Sequence, residues 1–493
     1  MHAFPALARK RWRPHVGSLQ DGGMKELAVL ARLDGVAQAE LCARGDVHAS
    51  ELLEACLARI DALNPLLRAV VTTARESSGP AGAGPLSGVP FLVKDSTEWP
   101  GLRWSMGSRL FAANVGRRQT PYGKRLEEAG LVCVGKSAMS EMGLLFSTET
   151  LLEGATLHPW DLSCSATGSS GGSAVAVAAG LVPLAHANDG GGSLRVPASA
   201  CGVFGFKPSR GRTVPASFAR SDFAAMTSDH CISRSVRDSA LFLSLTEDAS
   251  FGTPVGFVRE PVSRRLRIGT WTRTMMGVAP EPDVLRAYED AVALLVELGH
   301  DVVPIAPPRL EGPALSSAFF RVAGAAVAGI VELMDRTREE PVQIEELEPF
   351  TWALVEDFQA AGPEALPQAR ATFSQAVQAY LEATRGYDVV LTPVTSSASW
   401  PVGHLSPVLS REVLLRRTAR SIGDTPLHNI VGCPAMSVPL HFPEAGVPIG
   451  MHFAAAPGAD ALLLELAYQL EEARPWKDHW APYSIPARFG GSR

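Results

Sequence analysis

GSSGGSAVAVAAGLVPLAHANDGGGSLR, Gly168–Arg195, contains two glycine-rich loops, and each carries a serine that matters to the reading, Ser169 and Ser193, 24 residues apart. Upstream, the strand-like run GVPFLVKD ends on Lys94, 75 residues before Ser169. A serine in a glycine loop is most often a turn residue, and a lysine at a strand end is most often solvated. Together they form a set that can activate a serine nucleophile without histidine. The run NDGGGS sets three glycines directly before Ser193, so the backbone can bend tightly and aim Gly190, Gly191 and Gly192 amides at one point. Such a nest suits a tetrahedral oxyanion, and one donor of that kind is worth about 3 kcal/mol to a transition state.

Working outward, the alternation of helical and strand patterns reads as an α/β chain. The apolar residues Leu52, Leu53, Cys56, Leu57 and Ile60 share one face of a helix predicted over 50–61, with Ser50 as N-cap and Asn64-Pro65 as its stop. A Gly/Pro/Ser-rich loop over 75–87 leads into a strand at Val89–Val93, and a strand end is where a polar group is placed to act. A helix follows at 122–129 and a short buried strand at 131–134. RLRIGTW and HDVVPI read as strands flanking a helix at 282–298. The segment 314–385 is helical in pattern, with breaks predicted at Pro341, Pro349 and Pro367, and YDVVLTPVT and PAMSVPL return to strand composition. No sharp shift in composition marks a boundary, so 24–493 reads as one interwoven domain.

The chain has 493 residues, 45 Lys and Arg against 51 Asp and Glu, and a net charge of -6, which favours no nucleic-acid partner. Seven scattered cysteines with no C-x-x-C pair read as buried thiols of a reducing compartment, and the expected location is cytoplasmic. Residues 1–23 are basic and lack an apolar signal core. They read as a disordered leader, with Met24 a candidate start. The apolar stretch 322–331 is judged too short and glycine-rich to span a bilayer, so no membrane association is expected.

Two motif matches compete with the serine-lysine set. GLVCVGKS, Gly130–Ser137, satisfies the phosphate-loop pattern, but its intervening residues are those of a buried strand and its first glycine follows a helix-like segment. It is rejected. GSSGG satisfies the nucleophile-elbow pattern of an α/β-hydrolase esterase with Ser170 as nucleophile. The required buried strand is missing before it, yet eight histidines follow, so a triad partner for Ser170 stays open.

The run from Gly168 to Arg212, with GVPFLVKD before it and GKSAMSEM (135–142) between, resembles the amidase signature family. Weaker similarity in YDVVLTPVT and GCPAMSVPLHFPEAGVPIG extends this over nearly the whole chain, about 33–476. The resemblance implies a single large α/β domain with a central twisted mixed β-sheet covered by helices on both faces, a core motif region at 84–212 and a variable substrate region at about 213–400. It implies a Ser-cisSer-Lys triad acting through an acyl-enzyme: Ser193 as nucleophile, Ser169 as the bridging serine after a cis Gly168–Ser169 bond, Lys94 as base. The Gly190, Gly191 and Gly192 amides would form the oxyanion hole. Asp189 and Arg195 read as an ion pair holding the loop, with Gly168 and Ser170 in supporting positions. No metal or cofactor is implied. Gly190 departs from the threonine many members carry there. AHANDGGGSLRVPAS is more similar to the branch of nylon-oligomer and related xenobiotic amidases, urethane-cleaving ones among them, than to the glutaminase subunit of a tRNA-dependent amidotransferase, the alternative reading. Met142, Leu144, Leu145 and Phe146, with the segment 314–385, are expected to line an apolar acyl pocket. The expected substrate is a neutral hydrophobic amide, with carbamates (urethanes) and esters as further candidates, and the expected assembly is a monomer or homodimer.

Overall fold

Strand β2 (Pro90–Lys94) shows in miniature how the sheet is covered. Side chains alternate along a strand, and here Phe91 and Val93 enter one apolar cluster with Tyr122, Leu126 and Phe242, while Leu92 enters another with Val175, Ala178 and Ile60. The first cluster draws on helices Pro121–Glu128 and Val236–Thr246, the second on helices Ala49–Leu67 and Gly171–Ala178. Both faces of the sheet are therefore buried under helices, and β2 is buried along its whole length.

The computed structural model describes residues 21–74 and 82–490. Beside β2, the main sheet contains β1 (Val70–Thr73), β3 (Val132–Ser137), β4 (Leu184–Asp189), β5 (Phe204–Lys207), β6 (Ser228–Ser233), β7 (Arg267–Thr270), β8 (Asp301–Pro304), β9 (Val389–Pro393), β10 (Ala435–His441) and β11 (Ile449–Ala455). Their order across the sheet is β1-β3-β2-β4-β6-β5-β10-β11-β9-β7-β8. The sheet is mixed: β2 runs parallel to both β3 and β4, β7 parallel to β8 and β9, and the strands between pair antiparallel. With sixteen α-helices among the described residues, this is one α/β domain built on an 11-stranded sheet.

Several boundaries differ from the sequence expectations, for local reasons. The first long helix begins at Ala49 and runs through Pro65 to Leu67, where Arg68 takes a left-handed conformation and its N–H closes on the Asn64 carbonyl at 2.8 Å. Of the three prolines expected to break the 314–385 segment, only Pro341 lies between helices. Pro349 is the first residue of helix Pro349–Ala361 and Pro367 sits in the first turn of helix Ala365–Ala383, positions whose N–H has no intrahelical partner to lose. Helix Gly312–Thr337 is continuous and, by length and composition, long and apolar enough to cross a membrane, which corrects the view that this stretch is too short. Half of its most apolar window is buried, with Phe319, Phe320, Val322, Ala323 and Val327 in the core, which is also how a core helix of a folded domain looks.

GLVCVGKS forms β3, fully buried over Val132–Ser137, and has no loop to wrap a phosphate. Residues 1–20 of the expected leader, and 75–81 of the expected loop, lie outside the described residues; a helix Asp21–Ala31 contains Met24. All seven cysteines are free, and Cys42 is half-buried where all had been expected buried.

Candidate active site

Alternation along β2 decides where Lys94 points. It lies two residues beyond Leu92, so it leaves the sheet on the side of helix Gly171–Ala178, and that helix starts at Ser170. Strand and helix start thereby converge. The Lys94 Nζ donates to Ser169 Oγ at 2.8 Å, Ser170 Oγ at 2.8 Å and Asn188 Oδ1 at 2.6 Å, so its three donor positions are all used. The side chain is fully buried. Burial lowers its pKa from the usual lysine range to about 7, against the opposing pull of the Asp229 and Asp189 carboxylates.

Ser193 stands on the second loop, with its Oγ accepting the Ser169 backbone N–H at 3.1 Å. Among the described residues no hydrogen bond joins the Ser169 and Ser193 hydroxyls; the backbone of one meets the side chain of the other. The first loop is not built on a cis bond as the resemblance implied, since no described peptide bond is cis. Its bend comes instead from Gly168 at φ +69, where a Cβ would lie 2.5 Å from Pro197 Cδ, so only glycine fits. Thr148 pins this bend, donating to the Gly168 carbonyl at 2.8 Å and accepting the Gly171 N–H at 2.9 Å.

The second loop is held by Asp189 and Arg195, both fully buried. Arg195 Nε and Nη2 grip the two Asp189 oxygens at 2.9 and 2.8 Å. The guanidinium also reaches Asn429 Oδ1 at 2.7 Å, the Thr425 carbonyl at 2.9 Å and His452 Nε2 at 3.0 Å. Despite its burial, this pairing holds the Asp189 carboxyl down at about 2. Asp189 in turn accepts the Gly192 N–H at 2.6 Å and the Leu194 N–H at 3.1 Å. The Gly192 amide is therefore occupied by the loop's own carboxylate, whereas no hydrogen bond from the Gly190 or Gly191 amides is present among the described residues.

A narrow cavity of about 10 Å³ opens on Ser193, lined by Gly143, Leu144, Phe146, Gly191, Phe223, Phe319, Phe320 and Ala323. Of the four residues expected in an acyl pocket, Leu144 and Phe146 line this cavity. Met142 and Leu145 are buried in the surrounding apolar core and do not line the pocket. The rings of Phe223, Phe319 and Phe320 pack edge to face, with centroids 5.9 and 5.6 Å apart. At position 190 a Cβ would lie 3.1 Å from Thr227 Oγ1 and 3.2 Å from Phe223 Cζ, tight contacts that these side chains would have to relieve. Phe223 and Asn188 were missed in the sequence. Asn188 lies in β4 beside a motif carboxylate with nothing in its spacing to single it out, and Phe223 sits in a five-residue helix, Asp222–Met226, without periodicity to notice.

Ser170 is fully buried, donating to the Asn188 carbonyl at 3.2 Å, and no histidine hydrogen-bonds to it among the described residues. The preceding strand, Cys164–Ser165, is two residues long and pairs outside the main sheet. The elbow arrangement is not formed. Among the described residues no group of three or more His, Cys, Asp or Glu side chains is placed to hold a metal ion.

The family model described as Amidase matches residues 51–464. A 6-aminohexanoate-cyclic-dimer hydrolase from a Pseudomonas species is 33% identical over 477 residues, covering 90% of this chain and 95% of the relative. An acylamidase of Rhodococcus erythropolis is 31% identical over 467 residues, covering 90% and 96%. The solved structure of a 6-aminohexanoate cyclic dimer hydrolase complexed with substrate superposes with a TM-score of 0.84 at 30% identity, covering 94% of this chain and all of that one. With one match spanning most of the chain and relatives matched nearly end to end, the protein belongs to the amidase signature family of amide-hydrolysing enzymes.

Proposed function

We propose that the protein cleaves neutral, apolar amides with Ser193 as nucleophile, Ser169 as bridging serine and Lys94 as base. The observation that carries this reading is the fully buried Lys94 amine, 2.8 Å from Ser169 Oγ, with its pKa lowered to about 7. A lysine in its usual range is protonated at neutral pH and cannot accept a proton; this one is divided between both forms. Ser193 Oγ bonds the substrate carbonyl carbon as its proton passes to Ser169 and the Ser169 proton passes to Lys94 Nζ. The two hydroxyls must close into contact for this transfer, as catalytic hydrogen bonds often do only once substrate is bound. The carbonyl π electrons move to oxygen, and the free Gly190 and Gly191 amides take that charge. The C–N bond then breaks, the amine leaves with the proton returned through Ser169, and water releases the acyl group by the same steps in reverse.

The pocket supports the substrate class. Its lining carries rings and aliphatic groups and no charged side chain, so an acyl part bearing an ammonium or carboxylate would be desolvated without a partner. This weighs against glutamine, and so against the glutaminase-subunit reading. A cyclic dimer of an amino acid, the compound in the name of one relative, is neutral because its amine and carboxyl are joined. Carbamates and aryl esters also present a carbonyl carbon that Ser193 can attack and a heteroatom leaving group, and belong to the same proposal, as do action as a monomer or homodimer and a cytoplasmic location.

The test is a panel of linear amides, cyclic amides, anilides, esters and carbamates assayed with the wild type, Ser193→Ala and Ser170→Ala. Release of amine by the isolated chain, lost in Ser193→Ala, is the expected result. Turnover that survives Ser193→Ala but is lost in Ser170→Ala would return the nucleophile to Ser170.

A further inference from the structure

The geometry points to Asn188 as a positioning residue that aims the lone pair of Lys94 at Ser169. This rests on the reading of Lys94 as the base. A neutral amine has two N–H groups and one lone pair, while three oxygens surround Lys94 Nζ: Ser169 Oγ, Ser170 Oγ and Asn188 Oδ1. The lone pair must therefore face one of the three, and that neighbour must donate. Asn188 Oδ1 is a carbonyl oxygen and can only accept. In the ammonium form of Lys94, which has three donors and no acceptor, a turned amide would meet the lysine donor to donor, so the oxygen faces Nζ and the amide nitrogen donates to Ser96 Oγ at 2.9 Å. Ser170 has a proton, but it is directed to the Asn188 backbone carbonyl at 3.2 Å. Ser169 is the remaining hydroxyl. One asparagine thus removes both competitors, its side chain by taking a lysine N–H and its backbone by taking the Ser170 proton.

The residue type also sets the charge of the site. The charged and titratable groups facing Lys94 are Asp189 and His186 on β4 and Asp229 on β6. On β3, Lys136 is already paired with Asp95 at 3.6 Å. His186 accepts the Lys94 backbone N–H at Nδ1 and so donates from Nε2 to Asp229 at 3.2 Å, a neutral arrangement. Asp189 is held by Arg195. An aspartate at 188 would be the same shape as the asparagine but would put an unshared negative charge in contact with the amine, holding it as ammonium with no lone pair to offer.

The experiment is Asn188→Asp, with the pH dependence of kcat/KM on a chromogenic anilide measured beside the wild type and beside Lys94→Ala and Ser193→Ala. Expected is an acid limb moved to higher pH by at least one unit, with about tenfold lower activity at pH 7 that recovers on the alkaline side. A folded Asn188→Asp whose profile overlays the wild type overturns the inference. If that variant does not fold, Ser96→Ala decides: it removes the anchor of the amide without adding charge, and kcat falling about tenfold at unchanged KM supports the role, while unchanged kcat overturns it. Failure of the underlying reading has a different signature, since Lys94→Ala or Ser193→Ala would then keep turnover.

Discussion

The two walls of the site are made of different material. On the sheet side, the ends of β2 and β4 with the loops around Ser169 and Ser193 are held by buried polar groups whose partners are already assigned: Lys94 with three oxygens, Asp189 with a guanidinium and two amides. On the helix side, Phe319, Phe320 and Ala323 of Gly312–Thr337, joined by Phe223, are held by apolar packing, part of it between rings. A polar network is all or none, because removing one member leaves another buried and unsatisfied. An apolar wall is graded, because a smaller side chain leaves a cavity whose cost scales with its size. The first wall should therefore govern the chemical step and the second which acyl groups fit.

Four measurements bear on that contrast, the largest effect first. Ser193→Ala and Lys94→Ala should each lower kcat by about 10⁴-fold or more in variants shown by calorimetry to be folded. A loss of only about tenfold would break the claim that these two groups act as a unit. Arg195→Met leaves Asp189 buried without its counter-charge and should cost about 3–5 kcal/mol in urea unfolding, together with loss of activity as the loop loosens. Little change in stability would show that Asn429 and the loop amides suffice to hold the carboxylate.

The third concerns pH. Because burial has lowered the Lys94 pKa to about 7, the amine is a base above that value and ammonium below it. Single-turnover kcat/KM should then rise about tenfold per unit on the acid side and level off above about pH 7. The stability effect has the same sign: the unfolded chain binds this proton more tightly, so this group's contribution to folding improves as pH rises from about 7 towards the usual lysine value. A flat rate profile from pH 5 to 8 would remove lysine from the mechanism. Smallest, Phe319→Ala should raise KM for a bulky acyl substrate by about tenfold while leaving kcat for a short acyl chain within a factor of about three. An equal loss of kcat for both substrates would mean that the helical wall also shapes the Ser193 loop, which Phe319 approaches at Gly191.

The same contrast explains what could be read without the fold. The sheet-side wall was legible because its signals are local. Glycine runs mark tight bends, and a lysine at the end of a fully apolar run stands where a buried strand ends, as Lys94 does. The apolar wall was legible only as a class. Leu144 and Phe146 differ from Met142 and Leu145 in nothing that composition records, yet only the first two line the pocket. Strands such as Ser228–Ser233, sequence SDHCIS, escaped notice because buried polar residues hide the alternation that identifies a strand.

The sequence by itself determined the two glycine-rich loops that carry Ser169 and Ser193, the strand that ends on Lys94, and the rejection of GLVCVGKS as a phosphate loop, because backbone conformation and strand burial leave their mark on neighbouring residues. The tertiary structure decided the rest. It took the Gly192 amide out of the free donors, made the bend at Gly168 with a left-handed glycine in place of a cis bond, enclosed Ser170 away from any histidine and set Asn188 against Lys94. Each of these depends on which donor meets which acceptor across segments that are distant in the chain, and hydrogen-bond pairing over such separations has no signature in local spacing.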